Sequence, residues 1–247
     1  YKRQGNTGNS FAPHIHFEYR DSKSVPLNPL TMAFELEDQI MPVARELAVI
    51  PLSQNALVNA SPLTQTFPLF RDKSGVYHFP DTISVFGEFG FAMNVVDKRE
   101  GTNNIYQFHR AELMVDGNLE FELSYDRIPF NQGKFAKTMI EYDLKRKNLG
   151  EFQKLYRLPE HRKISIHSSD ESGILGLAPG VHSVEIRIFD AHGNKTIIKG
   201  AVAATFPMTL EASEIFRDDK VVTLALSPKR GGLAIRGAVV YSFTKYG

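Results

Sequence analysis

The sequence predicts a mainly β protein whose centre is an antiparallel sandwich, and three observations carry that expectation. Apolar residues fall on one parity through residues 83–95, at Ile83, Val85, Phe89, Phe91, Met93 and Val95, the period of a half-buried strand. Two further alternating runs, Ala111, Leu113 and Val115 and then Leu119, Phe121 and Leu123, flank Asp116-Gly117-Asn118. Asp-Gly between such runs is a strong hairpin signal. A third pattern places Val184, Ile186 and Ile188 opposite Ser183, Glu185 and Arg187, before a polar turn at residues 190–194. Short strands joined by polar turns build sandwiches.

At the start of the chain, Gly5-Asn6-Thr7-Gly8 supplies a tight turn, and Pro13 fixes the entry into a strand reading His14-Ile15-His16-Phe17-Glu18. Side chains alternate across a strand, so His14 and His16 share a face, roughly 6.5 Å apart. Ile15 and Phe17 take the other face, toward a core. Two imidazoles so placed can share a metal, or one can ligate while the other moves protons. The alternative is two polar residues on a solvated face.

A turn of helix is expected within residues 31–38, with Phe34 and Leu36 packing back, and Pro42 ends it. Residues 44–52 read as a strand and residues 53–66 as a loop. Gly87 and Gly90 suggest a bulge or bend in one long strand, and residues 97–104 read as a polar loop. In the hairpin, Glu112, Glu120 and Glu122 occupy the solvated parity, and Glu120 and Glu122 are a poor catalytic carboxylate pair. Residues 125–159 carry no clear period. Within them, residues 137–144 fit helix or strand, residues 143–148 form a solvated charge run, and Phe152, Leu155, Tyr156 and Leu158 suit an insertion packed over a sheet edge. The strand pattern resumes at residues 163–167. His182 shares the apolar parity and reads as a buried histidine with a hydrogen-bond partner rather than a ligand. Asp190-Ala191-His192-Gly193-Asn194 reads as a tight turn, because it is short of the oxygen ligands calcium takes.

The chain has 247 residues, 42% hydrophobic and 23% charged, with net charge +1. That suits one large or two modest globular domains. No basic stripe suggests a nucleic-acid partner, and no apolar run of about 18 residues suggests a transmembrane segment. Cysteine is absent, which removes thiolate nucleophiles, cysteine zinc sites and disulfides without settling the compartment.

The run from Gly5 to Glu18, with Val25-Pro26-Leu27-Asn28-Pro29-Leu30 after it, resembles the closing motif of the lysostaphin-like zinc peptidoglycan endopeptidases. Ala12 stands where that family usually has glycine. The resemblance implies that His16 is a zinc ligand and His14 a catalytic histidine, with peptidoglycan peptides as substrate and a periplasmic or extracellular location in the cell envelope. The family's other ligands come from an earlier His-x-x-x-Asp motif, and residues 1–13 hold no His, Asp, Glu or Cys. A catalytic zinc takes three protein ligands and water, so the expectation is a fragment, inactive by itself, of a zinc metalloendopeptidase.

Residues 83–194 look like the immunoglobulin-like domain that follows the peptidase in Bacteroidetes-type relatives, through Val115-Asp116-Gly117, residues 154–159 and residues 182–194. The expected organisation is a peptidase β-sheet remnant at 1–33, a linker and immunoglobulin-like β-sandwich with a long insertion at 34–204, and a partial β segment at 205–247. The alternative function is a non-catalytic envelope scaffold with a degenerate peptidase domain, for which an envelope protein is a candidate partner. A generic adhesin or carbohydrate-binding sandwich rests on fold analogy alone.

Overall fold

A computed structural model describes residues 17–32, 37–101, 103–159, 166, 169–205, 210–217, 221–228 and 241–244. The fold is mainly β, and the chain divides into two compact units, Tyr1–Thr205 and Phe206–Gly247. In the first unit, β1 (Tyr19–Arg20) and β2 (Pro26–Leu27) form a short antiparallel ribbon ahead of the helical turn α1 (Pro29–Met32). Phe17, expected to face a core, is 54% exposed. A ribbon of two-residue strands presents no apolar layer wide enough to cover it.

The chain then enters β3 (Val43–Pro51) and passes β4 (Leu57–Val58), β5 (Gln65–Pro68), β6 (Phe70–Arg71) and β7 (Tyr77–His78) before β8 (Ile83–Phe86) and β9 (Phe89–Lys98). The expected single long strand is thus two, and they belong to different sheets. β8 pairs with the later strand β15 (Lys195–Ala204), while β9 pairs with β3. Gly87 makes the crossing with φ +72°, and a Cβ there would lie 2.9 Å from the Ala56 Cα. Its missing side chain lets the backbone turn and pass close at once. The apolar parity runs unbroken through the crossing because both sheets bury the same side of the chain against one core.

Beyond β9 come β10 (Ile105–Tyr106), then the hairpin β11 (Arg110–Val115) and β12 (Asn118–Ser124). Asp116 and Gly117 have φ of 50° and 83°, the doubly left-handed turn that suits strand twist. An insertion comes next, with α2 (Gly133–Ala136) and α3 (Tyr142–Arg146) leading to β13 (Gln153–Lys154). The long strand β14 (Gly180–Phe189) and β15 complete the unit.

One sheet runs β10-β9-β3-β5 with β13 also on β9; the other runs β12-β11-β14-β15-β7-β6, with β8 and β4 beside β15. Most pairs are antiparallel, and β15 adds short parallel pairings to β7 and β8. Between the sheets lie Leu47, Val49, Phe91 and Met93 from one and Leu113, Phe121, Ile186 and Ile198 from the other, all fully buried. The first sheet is covered on its outer face too. Ala48, Ile50 and Ala92 pack beneath Leu144, Phe152 and Tyr156 of the insertion. The insertion therefore roofs a sheet face as well as pairing along its edge.

The second unit holds an antiparallel sheet of β16 (Leu210–Arg217), β17 (Val221–Pro228) and β18 (Tyr241–Thr244). The strand expected at residues 163–167 lies outside the described residues except for Ile166, which is buried and accepts the Ser124 backbone N–H through its carbonyl. Among the described residues, no helix is long and apolar enough to cross a membrane.

Candidate functional site

His14 and His16 lie outside the described residues, and the structure takes up the chain at Phe17. The segment after the two histidines is tied to the sandwich. The Asn28 backbone N–H donates to the Asp126 carbonyl at 2.8 Å, and the Ile128 N–H donates to the Pro26 carbonyl at 3.4 Å. The Asn28 side chain donates to the Tyr125 carbonyl at 3.3 Å, while its oxygen accepts the Leu30 N–H at 3.0 Å and so opens α1. The turn between β1 and β2 is closed by Asp21, whose carboxylate accepts the N–H groups of Lys23 and Val25 at 2.8 and 2.9 Å. Asparagine and aspartate are here turn and cap residues, satisfying backbone donors that a two-residue strand leaves open.

Among the described residues three Ser/His/Asp groupings occur, and none activates a nucleophile. Asp72 accepts from the His78 ring at 2.8 Å and from the Ser74 hydroxyl at 2.6 Å. Asp116 accepts from the His182 ring at 2.6 Å and from the Ser183 hydroxyl at 3.2 Å, while the other ring nitrogen of His182 meets the Ala178 carbonyl at 2.7 Å. Asp126 likewise joins His109, at 2.8 Å, to the Ser124 hydroxyl. In each the carboxylate stands between serine and histidine, so no imidazole is next to the hydroxyl to take its proton. His182 has the hydrogen-bond partners the sequence implies but is partly exposed rather than buried, and it locks the hairpin tip to the start of β14.

The hydrogen bonds of His182 to Asp116 and to the Ala178 carbonyl raise its pKa above the usual 6.5, and the same bond to His182 lowers that of Asp116. The histidine's contribution is complete below about pH 6.5 and disappears as pH rises through its higher folded value. The aspartate's contribution is present above about pH 4 and disappears as pH falls through its lower folded value. The lock is therefore strongest between about pH 4 and 6.5. Titration of the His182 ring by NMR should give a midpoint above 6.5, and Asp116→Asn should return it toward 6.5. An unchanged midpoint in the variant would refute the assignment.

A further grouping lies where three loop or strand ends meet. Asp190 sits one residue past β14, Asp97 near the end of β9, and Asp38 in the approach to β3. Asp38, Asp190 and His192 each offer a ligand atom, and those atoms lie within 4.8 Å of one another. The Asp190 carboxylate organises its own turn, accepting the N–H groups of His192 and Asn194 at 2.8 and 2.9 Å and the Asn194 amide at 2.6 Å. The same Asn194 amide donates to the Asp38 carbonyl at 2.9 Å, and the Thr196 hydroxyl donates to the Pro42 carbonyl at 2.5 Å. Loops more than 150 residues apart in sequence are thus laced together.

The polar groups inside this lacing are incompletely matched. Asp97 is 6% exposed, and its Oδ1 has no hydrogen-bond partner; nor has the buried Nε2 of His192. Burial first, then the like charges of Asp190 and Asp38, push the Asp97 carboxyl up to about 7 against the Lys98 backbone N–H. A cavity of about 390 Å³ borders the group through Asp97 and Ala191 and is also lined by Asn28, His109 and Lys137.

The reading of residues 190–194 as a tight turn is right about the turn, but it misses the partners Asp38 and Asp97. A signal was present. Asp97 continues the parity of Phe89, Phe91, Met93 and Val95, and Asp190 that of Val184, Ile186 and Ile188. A carboxylate on the core parity must be buried, shared or neutral. No known protein family matches the chain, and neither does any characterised protein or solved structure.

Proposed function

We propose that these residues belong to a zinc metalloendopeptidase that hydrolyses peptide bonds in peptidoglycan, acting in the periplasm or at the cell exterior, with the β-sandwich fixed directly behind its catalytic strand. The motif from Gly5 to Glu18 supplies the chemistry of the proposal. The observation that carries the link to the sandwich is the stitching of residues 26–28 to residues 125–128, one short ribbon after His16. The described segment that follows the histidines in sequence is thereby anchored to the sandwich. This anchoring gives the module a positioning role toward the cell wall or an envelope partner.

Imidazole is an ordinary zinc ligand, so the donor chemistry of His16 fits the ion, and two more protein ligands would come from a His-x-x-x-Asp motif elsewhere in the intact protein. When bound, zinc supplies Lewis acidity toward the scissile carbonyl and toward water. His14 takes a proton from the attacking water or donates to the developing oxyanion.

The test is digestion of purified peptidoglycan by the intact protein, with new amino termini as the readout. His16→Ala should lose zinc and hydrolysis together. His14→Ala should keep zinc while turnover falls about 10²- to 10⁴-fold. Undiminished hydrolysis by His16→Ala, or none by zinc-loaded wild type, would leave the non-catalytic envelope scaffold as the better reading.

A further inference from the structure

The group formed by Asp38, Asp97, Asp190 and His192 is independent of His14 and His16, and its geometry asks for a positive charge. Two carboxylates and one imidazole converge from two separate stretches of chain, and the Asp97 carboxyl, from a third, feels the charge of both carboxylates. Among the described residues no lysine or arginine pairs with any of the three carboxyl groups; the one ion-pair contact is His192 Nδ1 to Asp38 Oδ2 at 3.6 Å, too long for a hydrogen bond. The Asp38 side chain is 3% exposed, so water does little to screen it.

We propose that Asp38, Asp190 and His192, with the buried carboxyl of Asp97 beside them, bind a divalent transition-metal ion of the Mn²⁺ or Zn²⁺ type. The ligand-atom spacing supports this first. Ligands on opposite sides of such an ion, with bonds of about 2.0–2.2 Å, stand about 4.0–4.4 Å apart, and the ligand atoms of Asp38, Asp190 and His192 already fall within 4.8 Å of one another. The second support is independent of the spacing. Asp97, more than nine-tenths buried, leaves Oδ1 unmatched beside the other two carboxylates. The buried Nε2 of His192, inside the group itself, is unmatched as well; buried polar atoms without partners are rare in folded proteins, and a cation held there would also offset the charge of Asp97.

The imidazole sets the class of ion. Carboxylate oxygens alone suit Ca²⁺ or Mg²⁺, whereas a mixed oxygen and nitrogen set favours first-row transition metals. The two bonds that Asp190 Oδ1 accepts from its own turn hold its carboxylate in place, as the outer partners of metal ligands do, and Oδ2, which accepts one bond, keeps a lone pair for an ion. Bound there, the metal would clasp the approach to β3, the end of β9 and the β14–β15 turn.

The experiment uses the intact protein with His14 and His16 both replaced by alanine, so that those imidazoles hold no ion. Titration with MnCl₂ or ZnCl₂ by calorimetry should show binding that Asp38→Asn and His192→Gln each weaken at least about tenfold. Asparagine at 38 can still accept the Ile40 N–H as Asp38 Oδ1 does, so that variant retains the loop. Mn²⁺ should also broaden the amide signals of Ala191 and Gly193 in NMR without any substitution at the site. CaCl₂ at equal concentration should bind far more weakly. Absence of Mn²⁺ and Zn²⁺ binding, binding indifferent to both variants, no broadening at Ala191 and Gly193, or tighter Ca²⁺ binding would each overturn the proposal.

Discussion

Gly173→Ala should lower the melting temperature by about 10 °C, the larger part of it from a collision and the smaller from backbone conformation. Gly173 has φ +70°, and a Cβ there would sit 2.3 Å from the Leu155 carbonyl oxygen and 3.0 Å from the Phe121 Cβ. Neither neighbour can yield cheaply. Phe121 and Leu155 are fully buried, and the Leu155 N–H donates to the Phe91 carbonyl at 2.8 Å. The glycine's own segment is held as firmly, because Ser172 accepts the Arg157 N–H at 2.7 Å and Leu175 exchanges two hydrogen bonds with Phe89. Relief of the contact would have to move the insertion away from β9 or open the core around Phe121. A left-handed conformation costs a non-glycine residue about 1–2 kcal/mol, and the forced displacement should bring the sum to about 3–4 kcal/mol. Gly101 is the control. Its φ is +73° with nothing within 4 Å of an added Cβ, so Gly101→Ala should cost only the conformational part, about 2–4 °C. Equal losses in the two variants would show that the close packing at Gly173 carries no weight.

How much of the molecule is legible in its sequence depends on how far apart the interacting residues are. The hairpin from Arg110 to Ser124 is readable because its strands and its Asp116-Gly117 turn are neighbours in the chain. The break at Gly87 is visible as a glycine but not as a change of sheet. Periodicity reports which side of a strand is buried, and Ile83 and Phe91 are both buried in the one core. Nothing local says that β8 will pair with β15 and β9 with β3. The insertion is legible in its apolar residues Phe152, Leu155 and Tyr156, yet its role as a roof depends on Ala48 and Ala92, small residues about sixty to a hundred positions earlier. The acidic group is the least legible, since Asp38, Asp97 and Asp190 are each ordinary in their own segments. Only the parity of Asp97 and Asp190 marks them, and reading it requires treating a charge on a core position as a question. The histidines at 14 and 16 are the reverse case, recognisable by pattern alone and lying outside the described residues.

In the presence of a chelator, stability should fall as pH rises from about 4 to about 7, and Asp97→Asn should remove most of that slope. The unfolded Asp97 carboxyl ionises near 3.9, whereas burial and the neighbouring carboxylates carry the folded one up to about 7. Between those values the folded state holds a proton that the unfolded state has lost, so each rise in pH favours unfolding until the folded carboxyl ionises too. Asp97 is thus least harmful below about pH 4 and most harmful above about pH 7, the reverse of an aspartate held low by an ion pair. The groups acting on it are Asp190 and Asp38, with His192 beside Asp38. A shift of this size corresponds to about 2–4 kcal/mol once partial relaxation is allowed for. Asparagine keeps the shape, removes the charge and can donate to the adjacent carboxylates. Thermal melts at pH 8 should therefore place Asp97→Asn about 5–12 °C above wild type, with the two proteins converging near pH 4. Parallel melting curves across that range would mean that Asp97 ionises in the folded protein as it does in water, and that the carboxylates around it do not act as one buried group.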